Sequence, residues 1–69
     1  MTEFQLNDNE YIELNKLLKI LKWVNSGGDA NTLIVEQLVT VNNAIETQKR
    51  KKIRKGDTVK FNGKTILIA

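Results

Sequence analysis

The spacing of apolar residues changes once along this chain, and that change dictates its fold class. Tyr11, Leu14, Leu17, Leu18, Leu21 and Val24 recur at three- and four-residue intervals, while Glu13, Lys16, Lys19 and Lys22 fall largely elsewhere around the turn. This is the pattern of an amphipathic helix with one apolar stripe. Asn7-Asp8-Asn9-Glu10 stands before it, with side chains suited to accept from unpaired helix N–H groups, so the spacing predicts a first helix that begins there. Asn25-Ser26-Gly27-Gly28 ends that helix, because glycine tolerates the left-handed backbone of a helix stop. Ser26 with Asp29 makes a capping-box pattern for a second helix running to about Gln37, with Ala30, Leu33, Ile34 and Leu38 as its apolar positions. From Val39 onward the period is two.

Val39-Thr40-Val41 reads as a strand, Asn42-Asn43 as a tight turn and Ala44-Ile45-Glu46 as a return strand. Lys55-Gly56-Asp57 is a further turn, and Asn62-Gly63 joins strands Thr58-Val59-Lys60-Phe61 and Lys64-Thr65-Ile66-Leu67-Ile68. Phe4-Gln5-Leu6 alternates and reads as a short edge strand. The expectation is an α+β fold, two packed N-terminal helices against a small, mainly antiparallel sheet. At 69 residues the chain has apolar surface for one core, so residues 1–69 are expected to form a single domain.

Composition removes much chemistry. The chain has no Cys, which takes away disulfides, thiolate metal sites and thiol nucleophiles, and no His, the commonest metal ligand and general base. Asp8, Glu10, Glu13 and Asp57 have settings that suit caps, turns and surface charges, and nothing pairs them in an apolar pocket for acid–base work. No catalytic residue, metal site, cofactor or small-molecule substrate is therefore expected. Met1-Thr2-Glu3-Phe4-Gln5 lacks the charge and the following apolar run of a targeting segment, and the cluster from Leu14 to Leu21 is broken by Asn15, Lys16 and Lys19. The expectation is a soluble, cytoplasmic protein, most simply a monomer.

Charge is distributed unevenly. Up to Glu46 there are three cations and seven anions, a net of −4, whereas from Thr47 on there are eight cations and one anion, a net of +7. Six of those cations, Lys49, Arg50, Lys51, Lys52, Arg54 and Lys55, lie within seven residues, with Ile53 the only apolar residue among them. Such a block cannot be a core face, and its self-repulsion is relieved by an anionic partner. Nucleic acid is the leading candidate; an acidic protein, an anionic membrane surface and a merely solvated charged loop are the alternatives. Backbone N–H groups at Gly27-Gly28 could cradle a phosphate, but without a Walker-spaced Lys or a preceding strand a plain helix–helix turn is the simpler reading. Tyr11 and Trp23 could stack on bases, yet their helical spacing with the leucines reads as core.

The order of these parts resembles the RNA-binding domain named after ribosomal protein S-four, also called the alpha-L motif. The resemblance rests on Glu13-Leu14-Asn15-Lys16-Leu17-Leu18, on Ser26-Gly27-Gly28-Asp29-Ala30-Asn31, on Val39-Thr40-Val41-Asn42-Asn43 and on Ile53-Arg54-Lys55-Gly56-Asp57-Thr58-Val59. Ser-Gly-Gly between the helices and Glu46-Thr47-Gln48-Lys49-Arg50 after the first hairpin are similar to the small stand-alone bacterial members. What the resemblance implies is a face built from the helix pair and the adjoining hairpin that grips structured RNA, ribosomal or transfer RNA among the possibilities. The chain departs from the family pattern at Glu13, Gly27 and Asn31, where family members are often basic, and at Asn43, where a glycine is usual. Binding is accordingly expected to lean on Lys49, Arg50, Lys51, Lys52, Arg54 and Lys55, with Lys16, Ser26 and Asn31 as lesser contributors. The expected function is non-catalytic RNA binding; the alternative is an adaptor that docks its basic face on an acidic protein of the translation or RNA-processing machinery.

Overall fold

A computed structural model describes residues 2–69. Nine elements follow in order: β1 (Thr2–Phe4), β2 (Ile12–Glu13), α1 (Leu14–Ile20), α2 (Gly27–Val35), β3 (Val39–Val41), β4 (Ala44–Ile45), β5 (Lys52–Ile53), β6 (Thr58–Phe61) and β7 (Lys64–Ile68). The α+β class is thus observed. The helices, however, do not open the chain, because two short strands precede them. β1 lies slightly earlier than the expected Phe4-Gln5-Leu6 strand.

Five strands form one sheet in the order β1-β7-β6-β3-β4, antiparallel except for the parallel pairing of β1 with β7. β2 and β5 form a separate antiparallel pair, with Ile12 opposite Ile53 and Glu13 opposite Lys52. The period-two pattern buries Val39, Val41, Val59, Ile66 and Ile68. Leu14, Leu17 and Leu18 of α1 and Ala30 and Ile34 of α2 complete the same cluster, each fully buried. Each such Leu or Ile contributes about 1.5–3 kcal/mol by leaving water. The alternate positions Thr40, Ile45, Lys60 and Thr65 lie side by side on the other side of the sheet.

Both helices are shorter than the apolar spacing suggests, for the same reason. At the end of α1 the Lys22 N–H donates to the Lys19 carbonyl and Trp23 N–H to Leu18; at the end of α2 Gln37 N–H donates to Ile34 and Leu38 N–H to Leu33. These paired bonds are the Schellman stop, whose pivotal residue adopts a left-handed conformation usually supplied by glycine. Here Lys22 and Gln37 fill it, at φ 60° and 64°. Neither residue type announces a stop. Beyond it Leu38 is 49% exposed, not the helix-face core residue its spacing suggests.

The start of α1 is also displaced. Asn7-Asp8-Asn9 forms a turn in which Asn9 donates from both backbone and side chain to the Leu6 carbonyl. The helix begins only at Leu14, and its N-cap residue Glu13 makes no side-chain cap. Tyr11 therefore lies outside the helix and outside the core, 39% exposed. By contrast Ser26 caps α2 as expected, its Oγ accepting from the Asp29 N–H at 3.2 Å.

Candidate nucleic-acid interface

The basic block lies across the N-terminal end of α1 and supplies the cap that the helix lacks. Leu14 N–H donates to the Lys51 carbonyl at 2.9 Å and Asn15 N–H to the Lys49 carbonyl at 3.1 Å. Two of the four N–H groups a helix start leaves unpaired are satisfied in this way. Ile53 fixes the other end of the block, fully buried in the core between the exposed residues Lys52 and Arg54. A segment with one apolar residue among six cations is thus held at both ends through its backbone and that one side chain, which leaves the cations to water. Lys51 alone of the six is half-buried.

Asn15 ties this segment to the second helix. Besides its backbone bond to Lys49, its Nδ2 donates to Asn31 Oδ1 at 3.2 Å across the helix pair. A shallow depression of about 250 Å³ is lined by Asn31, Thr32, Val35, Glu36 and Lys49, so Lys49 and Asn31 border the same hollow. Lys16 reaches Glu13 at 3.2 Å, and Arg50 approaches the other Glu13 oxygen at 4.0 Å. The Glu13 side chain is only 24% exposed, against 69% for Lys16 and 82% for Arg50. Surface ion pairs of this kind contribute at most about 1 kcal/mol, so neither cation is tightly sequestered.

At the other end of the block Lys52 and Arg54 converge on the Tyr11 ring, with Lys52 Nζ 5.0 Å and Arg54 Cζ 5.7 Å from its centroid. Beyond Arg54 the chain turns through Lys55-Gly56, where Gly56 has φ 95°. Asp57 closes this turn: its Oδ2 accepts from Arg54 N–H at 2.8 Å and its Oδ1 from Asn42 Nδ2 at 3.0 Å. Asn42 Oδ1 in turn accepts from Thr58 N–H, which locks the β3–β4 hairpin to the end of the basic segment. The left-handed Asn42 and Asn43, φ 53° and 68°, make the tight turn expected of them.

Of the expected binding residues, Lys16, Asn31, Lys49 and Arg50 gather around the start of α1, and Lys52 and Arg54 gather around Tyr11. Ser26 is engaged as the cap of α2, and Lys55 lies exposed in a turn. Lys60 belongs elsewhere, with Nζ 3.0 Å from Asn43 Oδ1. Sequence spacing overlooks three members of the site. Asn15 looks like an ordinary helix position, Glu13 like a surface acid, and Tyr11 like a core residue. Only Tyr11 carries a sequence signal, since an aromatic follows directly on the turn-forming residues Asn7 to Glu10. Among the described residues no group of acidic side chains is placed to hold a metal.

The family described as the S4 domain matches residues 4–69. The chain belongs to that family. It is 41% identical over 68 residues to the "Putative RNA-binding protein YbcJ" of Escherichia coli (strain K12), covering 99% of this chain and 97% of that one. The "Uncharacterized protein YbcJ" of Shigella flexneri matches with the same identity and coverage. The solution structure of E. coli YbcJ, described as revealing an alpha-L motif involved in RNA binding, superposes with a TM-score of 0.76 at 40% identity, covering 100% of this chain and 87% of that one. The resemblance drawn from the sequence is therefore upheld. Among the described residues no helix is long and apolar enough to cross a membrane.

Proposed function

We propose that this chain is a single, non-catalytic RNA-binding domain that grips structured RNA with the segment from Lys49 to Lys55 and with Lys16. The observation that carries this reading is the double anchoring of the basic block. Its carbonyls cap α1 and Ile53 enters the core, so six cations are presented on a fixed backbone in one stretch of surface. Fixed cations match a fixed array of phosphates at lower entropic cost than a flexible tail. Family membership and the RNA-binding description of E. coli YbcJ support the same partner.

Arg50, Lys49, Lys51 and Lys52 neutralise phosphates, and Asn31, beside Lys49, offers an amide to the backbone or the 2′-hydroxyl. Ser26, committed to capping α2, adds little. The domain acts as a cytoplasmic monomer on folded RNA of the ribosomal or transfer class. Binding of a folded RNA hairpin, compared with a DNA hairpin of the same sequence, tests this. The RNA is expected to bind more tightly; equal affinity for both would reduce the interaction to phosphate attraction and overturn the RNA reading.

A further inference from the structure

We infer that Tyr11 is a stacking platform for an unpaired nucleobase, so that the RNA recognised carries a bulged or looped-out nucleotide beside its paired stem. The inference rests on the RNA-binding reading above and adds the class of RNA feature that the site takes. Three observations converge on it. First, Tyr11 is an exposed aromatic ring in a chain whose other apolar stripe residues of the same spacing turn inward. A large ring left outside the core gives up the burial that would otherwise favour it.

Second, two cations of the basic segment already face that ring, Lys52 at 5.0 Å and Arg54 at 5.7 Å. Both sit over the ring, so a base that stacks there takes their place and leaves them to neutralise the phosphates on either side of it. Third, Tyr11 borders an open groove of about 700 Å³, a size that accepts a nucleotide. Its wall includes Asn7, Asp8, Asn9 and Glu10. Those carboxylates repel phosphate but accept from the amino groups on base edges, and the amides both donate and accept. The backbone of the RNA is thereby steered toward the basic segment and toward Lys16, which also lines the groove, while a base is admitted beside Asp8 and Glu10. A duplex offers no free base face, so only an unpaired nucleotide satisfies both halves.

The test uses three RNA hairpins that differ at one position: a one-nucleotide bulge, the same bulge made abasic, and a fully paired stem. Wild type is expected to bind the bulged hairpin about 5- to 150-fold more tightly than the other two, the range that stacking of one base on an aromatic ring gives. Tyr11→Leu should bind all three alike, and Tyr11→Phe should keep the preference. With 2-aminopurine at the bulge, wild type should quench its fluorescence and Tyr11→Leu should not. Equal binding of the three hairpins by wild type, or a uniform loss in Tyr11→Leu, would overturn the platform while leaving phosphate binding intact. No binding of any hairpin by wild type would overturn the RNA-binding reading and the platform with it.

Discussion

Ile53 is the residue on which the placement of the basic segment depends most, and its truncation has a calculable effect. Its side chain is fully buried, its strand pairs with Ile12, and its neighbours on both sides are exposed cations. Replacing a buried Ile by Ala costs about 2–5 kcal/mol, and by Val about 0.5–1.5 kcal/mol, from lost transfer energy plus the cavity left behind. A chain of 69 residues is stable by about 3–10 kcal/mol in total, so Ile53→Ala removes a large part of it. Thermal unfolding followed by circular dichroism should show Ile53→Val lowered by about 2–12 °C and Ile53→Ala lowered further or unfolded. Because Ile53→Val keeps the segment pinned, its folded form should bind RNA as wild type does. If Ile53→Ala cost less than about 1 kcal/mol, Ile53 would not be a core residue, and the segment would be a loosely attached loop rather than an anchored one.

Three further substitutions bear on the helix stops and on the ion pairs of the site. Lys22→Gly and Gln37→Gly each relieve a left-handed residue that costs about 1–2 kcal/mol, offset in part by about 0.5–1 kcal/mol of added freedom in the unfolded chain. Each variant should therefore unfold at a temperature a few degrees higher, and a lower midpoint would contradict the helix stops described. Glu13→Gln removes the one anion that, among the described residues, pairs with Lys16 and Arg50, and it sacrifices no side-chain cap. Its RNA affinity, measured by fluorescence anisotropy, should rise by about 2- to 5-fold, matching release of pairs worth up to about 1 kcal/mol; a fall would mean that Glu13 itself touches the RNA.

The sequence reveals those parts of the fold whose cause is local. Ser26 at the start of α2, the Asn42-Asn43 turn and the Asn62-Gly63 hairpin are specified by side chains or backbone freedoms within a few residues, and all three are present. The start of α1 has a distant cause, since its N–H groups are satisfied by the carbonyls of Lys49 and Lys51, far along the chain. Local spacing therefore starts the helix too early and carries Tyr11 into it. The helix ends are misjudged because Lys22 and Gln37 occupy a conformation that normally calls for glycine. The site is legible as a block of charge and as a family resemblance, but its geometry is not. That Asn15 connects Lys49 to Asn31, and that Lys52 and Arg54 meet Tyr11, follows only from the pairing of β2 with β5.

Whether the anchored basic segment grips folded RNA is decided by one salt series. Affinity for a structured RNA hairpin is measured between about 50 and 200 mM salt, for wild type and for a variant with Lys49, Arg50, Lys51 and Lys52 all changed to Ala. If about four to six phosphates are neutralised, wild-type affinity should fall by about two to three powers of ten across that range. The variant, its fold checked by circular dichroism, should bind far more weakly, with a slope shallower by about one for each phosphate it no longer neutralises. Unchanged affinity and slope in the variant would contradict the claim and place the RNA on another surface.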